Sequence, residues 1–434
     1  MKKYPLMPKR SPVVKTPASV ILVGFAIAIL LTVQACSGIT DMNADVRYAP
    51  SGHNDSALSM EGGFDAYLGR TKSMISRARV FEDPKQRQQE IEFNAPFEIH
   101  PDPVQCANRP RHGVLVVHGL SGSPASWRDL SEEIAQNCYH VRAILLPGHG
   151  TRPGDLINVT HDQWLLSTRQ AVRQMSSEVD QLYVAGFSMG ATIGTLLAYE
   201  GEPIDGLILL SPAFQAFSGL QFLATWLEPF MNWVHREPGE MPGRYSTVAV
   251  SAAAEFHRLT KRLSDIGRED AELSIPVYMA VTSDDSVIDV PFALRAYDEF
   301  LTSPHKQMLL IGNPEDTEKL LKNHHDYQIT KLPSSIPDQG ILKFSHMAMP
   351  FSPGNPAYGR NGIRSCGDYS EGSKDHNLCL AATDIYYTNV RLEDKSPNHF
   401  KLTFNPYFDV LSGQIVEFLD RVSQDKATLR HRVL

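Results

Sequence analysis

From residue 97 onward the chain alternates short apolar runs with longer stretches whose apolar positions recur every three or four residues. Short runs of this kind read as buried strands and the longer ones as amphipathic helices, so their alternation predicts a mostly parallel sheet covered by helices. Strands are expected over 113–118, 141–146, 181–185, 204–210, 277–281 and 306–311. One helix should open at Ser123-Pro124, where a serine cap satisfies an orphan amide and a proline at the first helical position removes another. Further helices are expected over 162–178, from Ala191 through Tyr199, and over 408–422.

Three stretches interrupt the alternation. Between 210 and 277 lies an apolar segment, 217–227, with Phe230 and Trp233 close behind. It reads either as a cap over an apolar pocket or as a helix buried in the core. Its place at the strand ends, where open α/β sheets bind ligands, favours a cap over about 212–272. The polar, breaker-rich stretch 312–340 and the irregular stretch 351–406 read as late insertions, with an apolar run at 341–344 between them.

Upstream, Phe64, Tyr67, Leu68 and Ile75 predict a helix over 64–80, and the Ser-, Gly-, Asn- and Asp-rich residues 37–60 suit a tether. The first 35 residues change the picture. Lys2, Lys3, Lys9, Arg10 and Lys15 stand there without any acid, ahead of an apolar run over 20–33. That run is shorter than the roughly 20 residues a spanning helix needs, and the pattern is that of a targeting leader. Val33-Gln34-Ala35-Cys36 resembles the bacterial lipobox, which implies cleavage after residue 35 and acylation of Cys36. With Ser37 next, the resemblance implies the outer membrane of a Gram-negative cell. The expected organisation is a leader over 1–35, a tether and helical extension over 36–90, and one large domain over 91–434.

Composition refines this reading. A chain that is 42% hydrophobic and 21% charged is neither a fibre nor wholly disordered. Removing residues 1–35 takes away five positive charges and no negative one, moving the formal charge from -8 to -13. Acyl chains, and not electrostatics, would therefore hold the body at an anionic membrane. The absence of a basic stretch excludes a nucleic-acid partner. With Cys36 assigned to lipid, Cys106, Cys138, Cys366 and Cys379 suggest two disulfides. Of the three connectivities, Cys106 to Cys138 with Cys366 to Cys379 closes local segments. No cysteine or histidine spacing suggests zinc, and His324-His325-Asp326 lies in a polar, solvated stretch, so neither metal nor cofactor is expected.

The candidate chemistry centres on Gly186-Phe187-Ser188-Met189-Gly190, which fits the G-x-S-x-G turn between a strand and a helix. Small residues must flank a serine held in so tight a turn. Here the sequence resembles the α/β-hydrolase family, in its carboxylesterase and monoacylglycerol-lipase branch. Val116-Val117-His118-Gly119-Leu120-Ser121-Gly122-Ser123-Pro124 looks like that branch's oxyanion loop, and Leu146-Pro147-Gly148-His149-Gly150 like its next loop. The likeness is good over about 110–300 and thins beyond. It implies an α/β-hydrolase fold with Ser188 as nucleophile, followed along the chain by an acid and then a histidine. In Thr282-Ser283-Asp284-Asp285-Ser286-Val287-Ile288 the acid is Asp285, with Asp284 the runner-up. Lys343-Phe344-Ser345-His346-Met347 makes His346 the base, while His118 and His149 are structural. The resemblance assigns the oxyanion donors to the backbone amides of Leu120 and Met189.

These residues imply a serine hydrolase acting on acyl esters, small-molecule or lipid, at the cell envelope. An acyltransferase would use the same three side chains, and a non-catalytic envelope lipoprotein retaining the fold would not need them. No acidic or basic residue stands out as a pocket group that would argue for peptidase activity.

Overall fold

The computed structural model describes residues 45–54, 59–81, 83–234, 236, 241–268, 272–322, 328–362, 372–389 and 398–433, the side chains of 375 and 425–433 aside. The leader, Cys36, the His324-His325-Asp326 cluster and Cys366 lie outside the described residues. Contacts divide the chain into 1–46 and 47–434, and the architecture below is that of the second unit. No described helix is long and apolar enough to cross a membrane.

Eight strands form one sheet in the order β1-β3-β2-β4-β5-β6-β7-β8. They are β1 (Phe97–Ile99), β2 (His112–Val117), β3 (Tyr139–Ile144), β4 (Gln181–Phe187), β5 (Gly206–Leu210), β6 (Val277–Thr282), β7 (Lys306–Ile311) and β8 (Gln328–Leu332). All pairings are parallel except that of the edge strand β1 with β3. This is the α/β-hydrolase fold. Its central strands are apolar throughout because helices cover both faces, and successive side chains enter opposite cores. Leu115, Val117, Leu207 and Leu209 join one core, with Trp164, Ile193, Leu196 and Leu259 from the helices. Val114, Val116, Ile208 and Leu210 join the other, with Trp127, Leu130, Leu411 and Phe418.

The covering helices start where side chains can close their amide ends. His161–Ser176 opens with a capping box, Thr160 accepting from the Gln163 amide while Gln163 answers to Thr160. Val290–Glu299 is capped by Asp289, with a proline in its first turn. The upstream helix Gly63–Ala78 docks on the main unit through Phe64, Tyr67, Met74 and Ile75, all buried. Tyr67 both donates to the Leu145 carbonyl (3.1 Å) and accepts from the Leu145 amide (3.0 Å).

Several expectations are corrected. The polar stretch 312–340 is not a plain insertion, because it supplies the helix Pro314–Leu321 and the last strand, β8. β8 lies at the sheet edge and that helix buries only Thr317, so neither needed an apolar pattern. In the apolar run 341–344, as its pattern suggests, Ile341 and Phe344 are fully buried, and Ile341 makes isolated bridges to Ile336 and Tyr387. Within 351–406 a helix, Lys374–Ala381, and a small parallel pair, Tyr386–Thr388 with His399–Lys401, are ordered. The closing helix runs on to Val433. Cys106 and Cys138 are joined, with Cα atoms 5.5 Å apart. Cys379 is buried and disulfide-bonded, but the expected partner falls outside the described residues.

Candidate functional site

β4 ends at Phe187 and the helix Met189–Tyr199 begins two residues later, leaving Ser188 alone to turn the chain. The turn forces Ser188 to φ 56°, ψ -116°, a conformation that only over-determined surroundings hold in a non-glycine residue. Those surroundings are visible. The Ser188 amide donates to the Leu210 carbonyl (2.9 Å), and its carbonyl accepts from Ala191 and Ala213 (3.1 Å each). A Cβ on Gly186 would stand 2.3 Å from the Ala191 nitrogen, and one on Gly190 2.1 Å from the Val117 oxygen. Both glycines are thus demanded by close backbone approach.

The hydroxyl so presented meets a histidine 158 residues away: His346 Nε2 lies 3.1 Å from Ser188 Oγ. On the far side of the ring, Nδ1 lies 2.7 Å from Asp285 Oδ2. A carboxylate only accepts, so Nδ1 carries the proton and Nε2 is left with its lone pair toward the serine. Asp285 is itself fixed, because Oδ1 accepts from the amides of Val287 (2.8 Å) and Ile288 (3.1 Å). Asp284 plays a different part. Its carboxylate accepts from the Phe344 amide (3.0 Å) and its carbonyl from Asn389, so it braces the segment that carries His346. Burial pushes its pKa up. The structure therefore brings Ser188, His346 and Asp285 together and leaves Asp284 off the imidazole.

Leu120 and Met189 line the same cavity as Ser188. Their amides have no hydrogen-bond partner among the described residues, and the Met189 amide opens the helix that starts at the serine. Unpaired donors at the positive end of a helix are suited to receive an anion. The loop bearing Leu120 is held by two fully buried histidines whose bonds cross. His149 Nε2 accepts from the Ser121 amide (3.1 Å) while Nδ1 donates to the Pro147 carbonyl (2.9 Å). His118 Nε2 accepts from the Leu146 amide (3.1 Å) while Nδ1 donates to the Gly119 carbonyl (2.8 Å). Burial drives His149 down to about 4 and His118 well below the usual imidazole range, so both stay neutral acceptors. Tyr245 adds a third tie, its amide donating to the Ser121 carbonyl (2.8 Å) and its ring stacking on His149.

The cavity measures about 230 Å³ and is lined mostly by apolar atoms, among them Val248, Phe256, Ile288 and Phe351. The stretch 212–272 contributes Ala216, Pro242, Gly243 and Arg244 as well as Val248 and Phe256. Its helix Phe222–Leu227 buries no residue, so it is not a core helix; Trp226 and Phe230 are 73% and 85% exposed. Arg244 is a pocket residue that no local pattern marks, since it belongs to no motif. Among the described residues one cluster has metal-ligand spacing, Glu98, His100 and His140 at the β1 edge. There Arg142 already occupies the Glu98 carboxylate with two hydrogen bonds.

A model of the alpha/beta hydrolase family matches residues 114–338, just over half of the chain. The thermostable monoacylglycerol lipase of Bacillus sp. (strain H-257) is 34% identical over 112 residues, which make up 26% of this chain and 44% of that protein. The chain thus spans less than half the length of that relative. The carboxylesterase of Bacillus subtilis (strain 168) is 20% identical over 193 residues, 44% of this chain and 78% of that one. Among solved structures, a metagenome-derived lipolytic enzyme from the LipS and LipT study covers 52% of this chain and 94% of its own, at 22% identity and a TM-score of 0.43. A soluble variant of monoglyceride lipase from Saccharomyces cerevisiae covers 50% and 80%, at 17% identity and a TM-score of 0.42.

Proposed function

The chain belongs to the alpha/beta hydrolase family, and on that footing we propose that it is a serine hydrolase of carboxylic esters with Ser188 as its nucleophile. The observation that carries this reading is the unbroken relay from Ser188 Oγ through the His346 ring to Asp285, at 3.1 and 2.7 Å. Relatives bearing the names monoacylglycerol lipase and carboxylesterase support the ester class.

In this mechanism the ester carbonyl lies against the amides of Leu120 and Met189, and Ser188 attacks as Nε2 of His346 takes the hydroxyl proton. Asp285 stabilises the imidazolium without itself being protonated. The tetrahedral oxyanion is met by two donors already in place, and each such donor is worth roughly 2.7–4 kcal/mol of barrier. The imidazolium then protonates the leaving alcohol, an acyl-enzyme remains on Ser188, and water activated by the same imidazole releases the acid. The apolar lining beside Ser188 suits one acyl chain of modest length.

The test is hydrolysis of p-nitrophenyl esters of graded chain length by the mature protein and by Ser188→Ala. Turnover by the wild type, with the variant slower by about 10³-fold or more, is expected. Equal rates would remove Ser188 from the chemistry. The proposal includes anchorage at a Gram-negative outer membrane through an acylated Cys36, supported by the basic leader and the lipobox-like residues 33–36. Mass analysis of the amino terminus distinguishes a lipid-bearing Cys36 from an intact leader.

A further inference from the structure

Arg244 is the one arginine or lysine lining the cavity that holds Ser188 and His346 among the described residues, and no carboxylate lines that cavity. Its guanidinium bridges the two arms of the site. Nε reaches Ser121 Oγ at 3.4 Å and Nη1 reaches the Met347 sulfur at 3.7 Å. Ser121 follows the Leu120 amide in the chain and Met347 follows His346. Both contacts are long, and a thioether is a weak acceptor. Among the described residues the Arg244 side chain has no other hydrogen bond and no ion pair. Folding has drawn a full charge with five N–H donors partly out of water and given it almost nothing to bind, which is unfavourable unless a ligand completes it.

A second group on the same wall is also unpaired. Ser123 is 1% exposed, and its hydroxyl has no hydrogen-bond partner. Gly243, the neighbour of Arg244, lets the backbone pass close to it, since a Cβ there would fall 2.7 Å from Ser123 Oγ.

We propose that Arg244, with Ser123 beside it, binds a carboxylate carried by the substrate, so that the preferred esters are mono-anionic, as in half-esters of dicarboxylic acids. The proposal rests on the reading of Ser188 as nucleophile and names its substrate class. A guanidinium presents a planar fork that matches a carboxylate in two parallel hydrogen bonds. One cation in a largely apolar cavity balances one negative charge, whereas a phosphate monoester would bring close to two.

The test compares p-nitrophenyl hemiglutarate with its neutral near-isostere, p-nitrophenyl hexanoate. In wild type and in Arg244→Gln the readout is the ratio of the two kcat/KM values, in which any damage to shared machinery cancels. The ratio should fall by roughly 10- to 100-fold in Arg244→Gln, mainly through KM, and recover in part in Arg244→Lys. Calorimetry on Ser188→Ala with monomethyl glutarate gives a readout independent of turnover, and binding should vanish in the Ser188→Ala, Arg244→Gln double variant. Thermal melts check that each variant is folded. An unchanged ratio, or half-ester binding that survives the loss of Arg244, overturns the proposal. Inert esters together with Arg244-dependent binding would instead sink the hydrolase reading and leave the carboxylate site standing.

Discussion

His149 touches no substrate in this account, yet its replacement by phenylalanine should lower both stability and rate. The phenyl ring keeps the stack on Tyr245, where ring centroids are 6.2 Å apart and planes 6° apart. It lacks both nitrogens, so the Ser121 amide loses its partner in a buried setting, while the Pro147 carbonyl keeps the Trp164 indole N–H at 3.0 Å. One stranded donor costs about 1–3 kcal/mol, and that is the expected loss. Ser121 is adjacent to Leu120, so a loop released at Ser121 moves a proposed oxyanion donor. Losing that donor altogether would lower kcat by about 10²–10³.

The same variant has a signature in pH. Burial holds His149 at about 4 in the fold, against an ordinary 6.5. Between those values the unfolded chain binds a proton that the native state refuses. Its contribution to stability is therefore complete above pH 6.5 and is lost as pH falls toward 4, by on the order of 3 kcal/mol. His118 acts in the same direction. Urea unfolding at pH 7.5, 6 and 5 should give a lower midpoint for His149→Phe and a shallower decline than wild type, with kcat measured alongside. Wild-type midpoints, slope and kcat in the variant would refute the claim that this imidazole fixes the loop.

The two neighbouring aspartates should part company. Asp285→Asn removes the acceptor that sets the His346 tautomer and should lower kcat by about 10⁴-fold, read with any active ester. Asp284→Asn keeps an acceptor for the Phe344 amide, so kcat should stay within tenfold. Because the Asp284 pKa is raised in the fold, its ionisation opposes folding as pH rises through that value, and the asparagine variant should be no less stable at pH 7 in urea. Opening the Cys106–Cys138 bridge, which spans 32 residues, should destabilise the chain by roughly 3–4 kcal/mol, seen as a drop in Tm for Cys106→Ser with Cys138→Ser.

How much of this was legible in the sequence follows from how local each signal is. The strand, Ser188 and helix succeed one another within a few residues, and the glycines that permit the turn are part of the pattern. Strands such as β5 and β6, buried on both faces, announce themselves by unbroken apolar runs. β8 does not, because an edge strand with exposed Gln328 and Lys331 carries no apolar run to read. The crossed bonds of His118 and His149 join a loop to residues 28 positions away, a pairing no local pattern encodes. Arg244 is harder still, since what sets it apart is a guanidinium with only two long contacts, which folding alone reveals.

His346 and Asp285, on this reading of the site, make one serine hydroxyl nucleophilic. Exposure of the mature protein to a fluorophosphonate, followed by intact-mass measurement and peptide mapping, tests it directly. A single adduct on Ser188 is expected, formed far more slowly in His346→Ala and absent in Ser188→Ala. An adduct on another residue, or equal labelling of wild type and Ser188→Ala, would contradict it.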